Sequence, residues 1–176
     1  MTTRLLTAIL FLTTIGCNRN TNNKVDCSPY FIFDQVEHFS TSISEDSVFR
    51  LIELDTLTFD QSKLLGLLMN NKPDTIPDTT SFLDIEKFGF TKKEIQKDKL
   101  GQLNSIFCER KHDNAIYTLC AAVYRDILIF KRQGKTIGFA RVCFDCGDSI
   151  IAGTDKDWSE FGQSGDFQRL GAILEN

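Results

Sequence analysis

Apolar and polar positions change period several times along this chain, and each change marks an expected element. YFIFDQV at 30–36 and SVFRLIEL at 47–54 are rich in β-formers with partial alternation, and a Ser/Thr/Glu/Asp stretch at 40–46 separates them, which predicts two strands. After Asp60, QSKLLGLLMNN sets Leu64, Leu65, Leu67 and Leu68 along a short buried helix that ends at Asn70 and Asn71. NKPDTIPDTTS follows, holds two of the three prolines and predicts a loop. Thr91-Lys92-Lys93-Glu94 has capping-box spacing, so a helix is expected from 92 to about 110 with Leu100, Leu103, Ile106 and Phe107 facing the core.

The C-terminal half predicts a hairpin. AAVYRDILIF at 121–130 and KTIGFARVCF at 135–144 are joined by KRQG, where Gly134 takes the positive φ of a tight turn. DSIIAG adds a short third strand, and SGDFQRLGAILE predicts a terminal helix with Ser164 as N-cap and Phe167, Leu170 and Leu174 on one face. Strands before and after helices, without βαβ alternation, predict an α+β fold: a mainly antiparallel sheet, a long central helix and a C-terminal helix. Residues 27–176 suffice for a single globular domain, and 15 Phe supply a packed interior.

The N-terminus follows a different logic. Arg4 precedes LLTAILFLTTIG, an apolar run too short to span a bilayer but suited to the h-region of a signal peptide at 1–16. Thr14-Ile15-Gly16-Cys17 resembles the lipobox of bacterial lipoproteins, in which a small residue precedes a cysteine that is acylated and becomes the mature N-terminus; Thr14 stands where that family usually has Leu. The resemblance implies lipidation at Cys17 and contact with the membrane through the lipid. Asn18 is not the Asp that retains some of these lipoproteins at the inner membrane, so it also implies an outer-membrane destination, facing the periplasm or the surface. Polar, Asn-rich residues up to 26 then form a tether.

Charge narrows the function classes. The formal net charge is −4, and becomes −5 once Arg4 is removed with the leader. A nucleic-acid binder needs a basic face, and Lys92-Lys93 and Lys131-Arg132 are isolated pairs. With only His38 and His112 as histidines, and no G-x-S-x-G, H-E-x-x-H or phosphate-cradling glycine loop, no catalytic residue is assigned. Asp126 beside Arg125 predicts an exposed cross-strand ion pair, and Asp145 and Asp148 are ordinary turn residues.

Export makes the remaining cysteines, Cys27, Cys108, Cys120, Cys143 and Cys146, disulfide candidates first. Five is odd, so two bridges leave one thiol. If 141–146 stays extended, Cys143 and Cys146 point to opposite faces with Cα atoms about 10 Å apart, too far to bridge, and Cys120 and Cys108 become their natural partners. A tight turn at 145–148 would instead let Cys143 bridge Cys146. A thiol-redox pair is the competing reading, but thioredoxin-type dithiols sit at a helix N-terminus and here GDSIIAG follows. A zinc site is the other alternative, drawing on Cys143 and Cys146 with Cys108 and His112, which are spaced i to i+4.

CAAVYRDILIF through GKTIGFARVCFDCGD also resembles a pattern in small exported bacterial proteins, where a cysteine precedes a strand and C-F-x-C follows a Gly-Lys hairpin turn. That likeness groups Cys120, Cys143 and Cys146 and implies no activity. The expected function is therefore a non-catalytic binding module of the cell envelope with a protein partner, in the manner of an inhibitor or immunity protein, and the alternative is a thiol or zinc protein.

Overall fold

In a computed structural model of the chain, residues 27–69, 84–116 and 119–175 are described. The leader, Cys17, the tether and the proline-containing loop at 71–81 lie outside them. The elements run β1 (Ser28–Pro29), β2 (Gln35–Ser40), α1 (Glu45–Ile52), α2 (Phe59–Met69), β3 (Thr91–Glu94), α3 (Leu100–Ile106), β4 (Cys108–Glu109), β5 (Asp126–Arg132), β6 (Lys135–Cys143), β7 (Asp148–Ala152) and α4 (Asp166–Leu174). Five strands form one antiparallel sheet in the order β3-β2-β5-β6-β7, while β1 and β4 pair as a separate ribbon. The fold is thus mixed α and β on an antiparallel sheet, in a single compact domain.

Helices cover both faces of that sheet. On one face Val36, Leu128, Phe130, Ala140, Val142 and Ile151 pack with Leu103 and Ile106 of α3 and with Leu170, Ile173 and Leu174 of α4. On the other, Phe39, Ile127 and Ile129 pack with Val48 of α1 and with Leu67 and Leu68 of α2. This explains the unbroken run Ile127-Leu128-Ile129-Phe130 in β5: all four side chains are buried because the central strand meets apolar material on both sides. The β5–β6 hairpin turns through Gln133 and Gly134, at φ 51° and 75°, the double positive-φ geometry that suits right-twisted strands.

Three expectations are corrected. Residues 47–54 do not form a strand: Ser44 takes an extended backbone, its Oγ accepts from the Ser47 N–H at 3.3 Å, and Glu45 and Asp46 occupy the first turn of α1. An N-cap followed by acids at the positive end of the helix dipole outweighs β-propensity. Nor does a long central helix begin at Thr91. Thr91–Glu94 is the edge strand β3, all four side chains exposed between buried Phe90 and Ile95, and α3 spans only Leu100–Ile106. Lysines on an edge strand discourage further pairing, a use of the sequence that happens to share capping-box spacing. Finally, Gly165, not Ser164, is the N-cap of α4, at φ 72°, a conformation that favours glycine.

Glu37 shows how β2 tolerates a buried acid. Its carboxylate lies 2.8 Å from Lys92 Nζ on one neighbouring strand and 2.7 Å from Lys131 Nζ on the other. Burial pushes its pKa up, but the hydrogen bonds and charges of Lys131 and Lys92 outweigh that and hold the carboxyl below the usual range. A folded-state pKa below the unfolded value means the contribution is present above about pH 4.3 and drains away as pH falls through the folded value. Urea unfolding should therefore show Glu37→Gln costing about 1.5–3 kcal/mol at pH 7 and much less near pH 3.

Candidate functional site

Three features stand out on this scaffold: the cysteine corner, an apolar ridge, and a cleft against α4. At the corner, Cys120 is bridged to Cys146, and Cys27 is bridged to Cys108. Among the described residues Cys143 is the remaining thiol, and it is buried. Cys143 lies at the end of β6 and Cys146 in the turn before β7; although the chain turns between them, Cys146 bridges Cys120 and not Cys143, and both pack against Ala122, Tyr124 and Ile150. Burial, and then the charge of Asp148, raise the Tyr124 phenol well above its ordinary pKa, so it stays protonated and donates to Asp148 Oδ2 at 3.1 Å.

These pairings disperse the four residues suggested as zinc ligands. Cys108 and Cys146 sit in different bridges, so neither offers a thiolate, and His112 Nε2 meets Ser164 Oγ at 3.2 Å. Among the described residues no group of three or more His, Cys, Asp or Glu side chains is placed to hold a metal ion. The i to i+4 spacing of Cys108 and His112 loses its meaning because the chain leaves the helix at Ile106 and enters β4.

The ridge lies where α1 passes into α2. Phe49, Ile52, Leu54, Leu57 and Phe59 are all exposed, Phe59 by 73% and Ile52 by 50%, whereas Val48 is the only fully buried residue of α1. Five large apolar side chains are exposed within eleven residues, a density that sets this stretch apart from singly scattered surface residues. The surrounding charges are Glu45, Asp46, Glu53, Asp55 and Asp60 against Arg50 and Lys63, and the Lys63 ammonium sits 5.6 Å over the Phe59 ring.

The cleft lies on the opposite face of the sheet. Strand alternation puts His38 and Ser40 of β2 beside Asp126 of β5 on the α4 side, and His38 Nε2 meets Asp126 Oδ1 at 2.7 Å. The pair is held well inside: the His38 side chain is 7% exposed and that of Asp126 20%. Phe144, Phe167, Gln168, Gly171, Leu174 and Glu175 complete a cleft of ≈ 640 Å³. The expected exposed pairing of Arg125 with Asp126 is not what forms: Arg125 instead pairs with Asp145 and lies 3.7 Å from Glu45.

No family model, no curated protein and no solved structure matches this chain. Among the described residues no helix is long and apolar enough to cross a membrane.

Proposed function

We propose that this protein is a lipid-anchored module of the bacterial cell envelope that binds another protein, as an inhibitor or immunity protein does, and that the ridge at 49–59 is its contact surface. The observation that carries the reading is the ridge itself. Interface cores pair exposed aromatic and aliphatic anchors with a polar rim, and the rim here is predominantly acidic. It therefore fits a protein surface with an apolar centre and a basic border. Two disulfides agree with an oxidising compartment, and the run from Arg4 to Cys17 supplies the export signal and the lipid attachment point. The outer membrane is the proposed destination. A redox or zinc role has less support, because Cys143 alone of the C-x-x-C pair retains a thiol.

A photo-crosslinking residue at Phe59, compared with one at exposed Gln133 in the hairpin turn, tests the contact in intact envelopes. Phe59 is expected to capture one protein species that Gln133 does not. With that protein purified, Phe59→Ala should weaken binding by about 10- to 100-fold while leaving unfolding unchanged. Crosslinks to lipid alone, or equal capture at both positions, would count against a protein partner.

A further inference from the structure

The cleft under α4 has a chemistry of its own. Its charged lining is negative: Asp126 on the floor and Glu175 at the rim, joined by the neutral polar groups of Ser40 and Gln168. His38 holds one oxygen of Asp126 at 2.7 Å, and the other has no hydrogen-bond partner among the described residues. That oxygen belongs to a side chain 20% exposed that borders the cleft, so it is open to a donor from a ligand there.

The walls add to this polarity. Phe144 and Phe167 line the space with ring centroids 6.4 Å apart in an edge-to-face arrangement, and both are only partly buried. Aromatic faces attract cations. The cleft also borders the C-terminal turn of α4, the negative end of its dipole. Lys93 and Lys99 donate to the Leu174 carbonyl at 3.5 Å and the Ile173 carbonyl at 3.4 Å and so offset that negative end; neither lysine lines the cleft, and the attraction for a cation rests on Asp126 and Glu175.

We propose that this cleft binds a small organic cation, an ammonium group carried on an apolar body. The ammonium donates to the unengaged oxygen of Asp126 and to Ser40, and the apolar body lies against the cleft-facing surfaces of Phe144, Phe167 and Leu174. His38 acts as a positioning residue that orients the carboxylate. A volume of ≈ 640 Å³ accommodates a ligand of one or two rings. The site is independent of the protein contact proposed above, since the ridge belongs to the helices on the other face of the sheet.

The test is a calorimetric and NMR titration of the purified mature protein with 2-phenylethylammonium and, separately, with 3-phenylpropionate, a probe of similar size and opposite charge. Saturable binding of the cation is expected, with resonances of Gly171 and Ala172 shifting and the anion at least about tenfold weaker. Asp126→Asn should weaken the cation by about tenfold or more. Glu175→Gln, an exposed change that spares the fold, should weaken it a few-fold. Equal or tighter binding of the anion, cation binding indifferent to both substitutions, or no saturable binding at about 10 mM overturns the proposal. Crosslinking at Phe59 should be unaffected by Asp126→Asn, so failure of either site is read separately.

Discussion

Replacing Cys27 and Cys108 together by Ala is expected to remove about 4.5 kcal/mol of stability, near the upper end for a single disulfide. The bridge closes a loop across 81 positions, and on the chain-entropy account a cross-link of that span restricts the unfolded chain by roughly this amount. It also clamps the start of the domain. Cys27 directly precedes β1, Pro29 stands opposite Cys108 in the β1–β4 ribbon, and the Tyr30 N–H donates to the Phe107 carbonyl at 3.0 Å. Phe107 in turn stacks on Phe161 at 5.2 Å, so the bridge fastens the chain entry to the aromatic core. The Cys120–Cys146 bridge spans 26 positions, and its double Ala replacement should cost about 3.5 kcal/mol. A domain of this size has about 5–15 kcal/mol in total, so losing the first bridge brings it close to unfolding. Urea midpoints of the two double variants measure this, and a larger loss from the shorter loop would contradict it.

Asp166→Ala should cost about 3–5 kcal/mol, a large effect for a single polar side chain. Asp166 is 2% exposed at the first turn of α4. Its carboxylate pairs with Arg169, accepts from Arg110 Nη1 at 3.2 Å and from the Gly162 N–H at 3.1 Å. Removing it strands the mostly buried Arg110 guanidinium and a backbone donor at once. Only glycine fits at 162: it sits at φ 98°, and a Cβ there would fall 2.1 Å from the Phe167 ring. Arg110→Met with Asp166→Leu should recover part of the loss, because an apolar pair leaves no uncompensated charge. Thermal unfolding of the single and double variants reads the difference. A cost within about 0.5 kcal/mol for Asp166→Ala would show that the cluster behaves like a surface pair.

How far the sequence disclosed this fold depends on whether an element is decided locally. The β5–β6 hairpin was legible because Gly134 and two apolar runs point the same way, although β5 begins at Asp126, later than the run itself. The same holds for α4, where Leu170 and Leu174 fall on the buried face as their spacing requires. Residues 47–54 misled because Val48, Phe49 and Ile52 favour strands intrinsically, while the cap at Ser44 and the acids after it decide for a helix. Thr91–Glu94 misled for the opposite reason. A helix-start pattern there is overridden by pairing with β2, a contact with residues more than fifty positions away.

The sites divide in the same manner. That two bridges leave one thiol follows from the five cysteines after Cys17, but the identity of that thiol, Cys143, depends on how β6 and the turn to β7 are placed. His38 and Asp126 are 88 positions apart, and only the β2–β5 register puts them in contact. No local pattern announces such a pair. The ridge at 49–59 was hidden by the same error that assigned a strand to 47–54, because alternation would have buried half of those side chains.

The central claim, an exported, lipid-anchored and disulfide-closed binding protein, is tested most directly by intact mass and peptide mapping of the protein isolated from the membrane fraction of its own cells under thiol-blocking conditions. The account predicts loss of residues 1–16, acyl chains on Cys17, peptides joined as Cys27–Cys108 and Cys120–Cys146, and an unmodified thiol only at Cys143. An unprocessed N-terminus without lipid, or free thiols at all five cysteines of the domain, would contradict it.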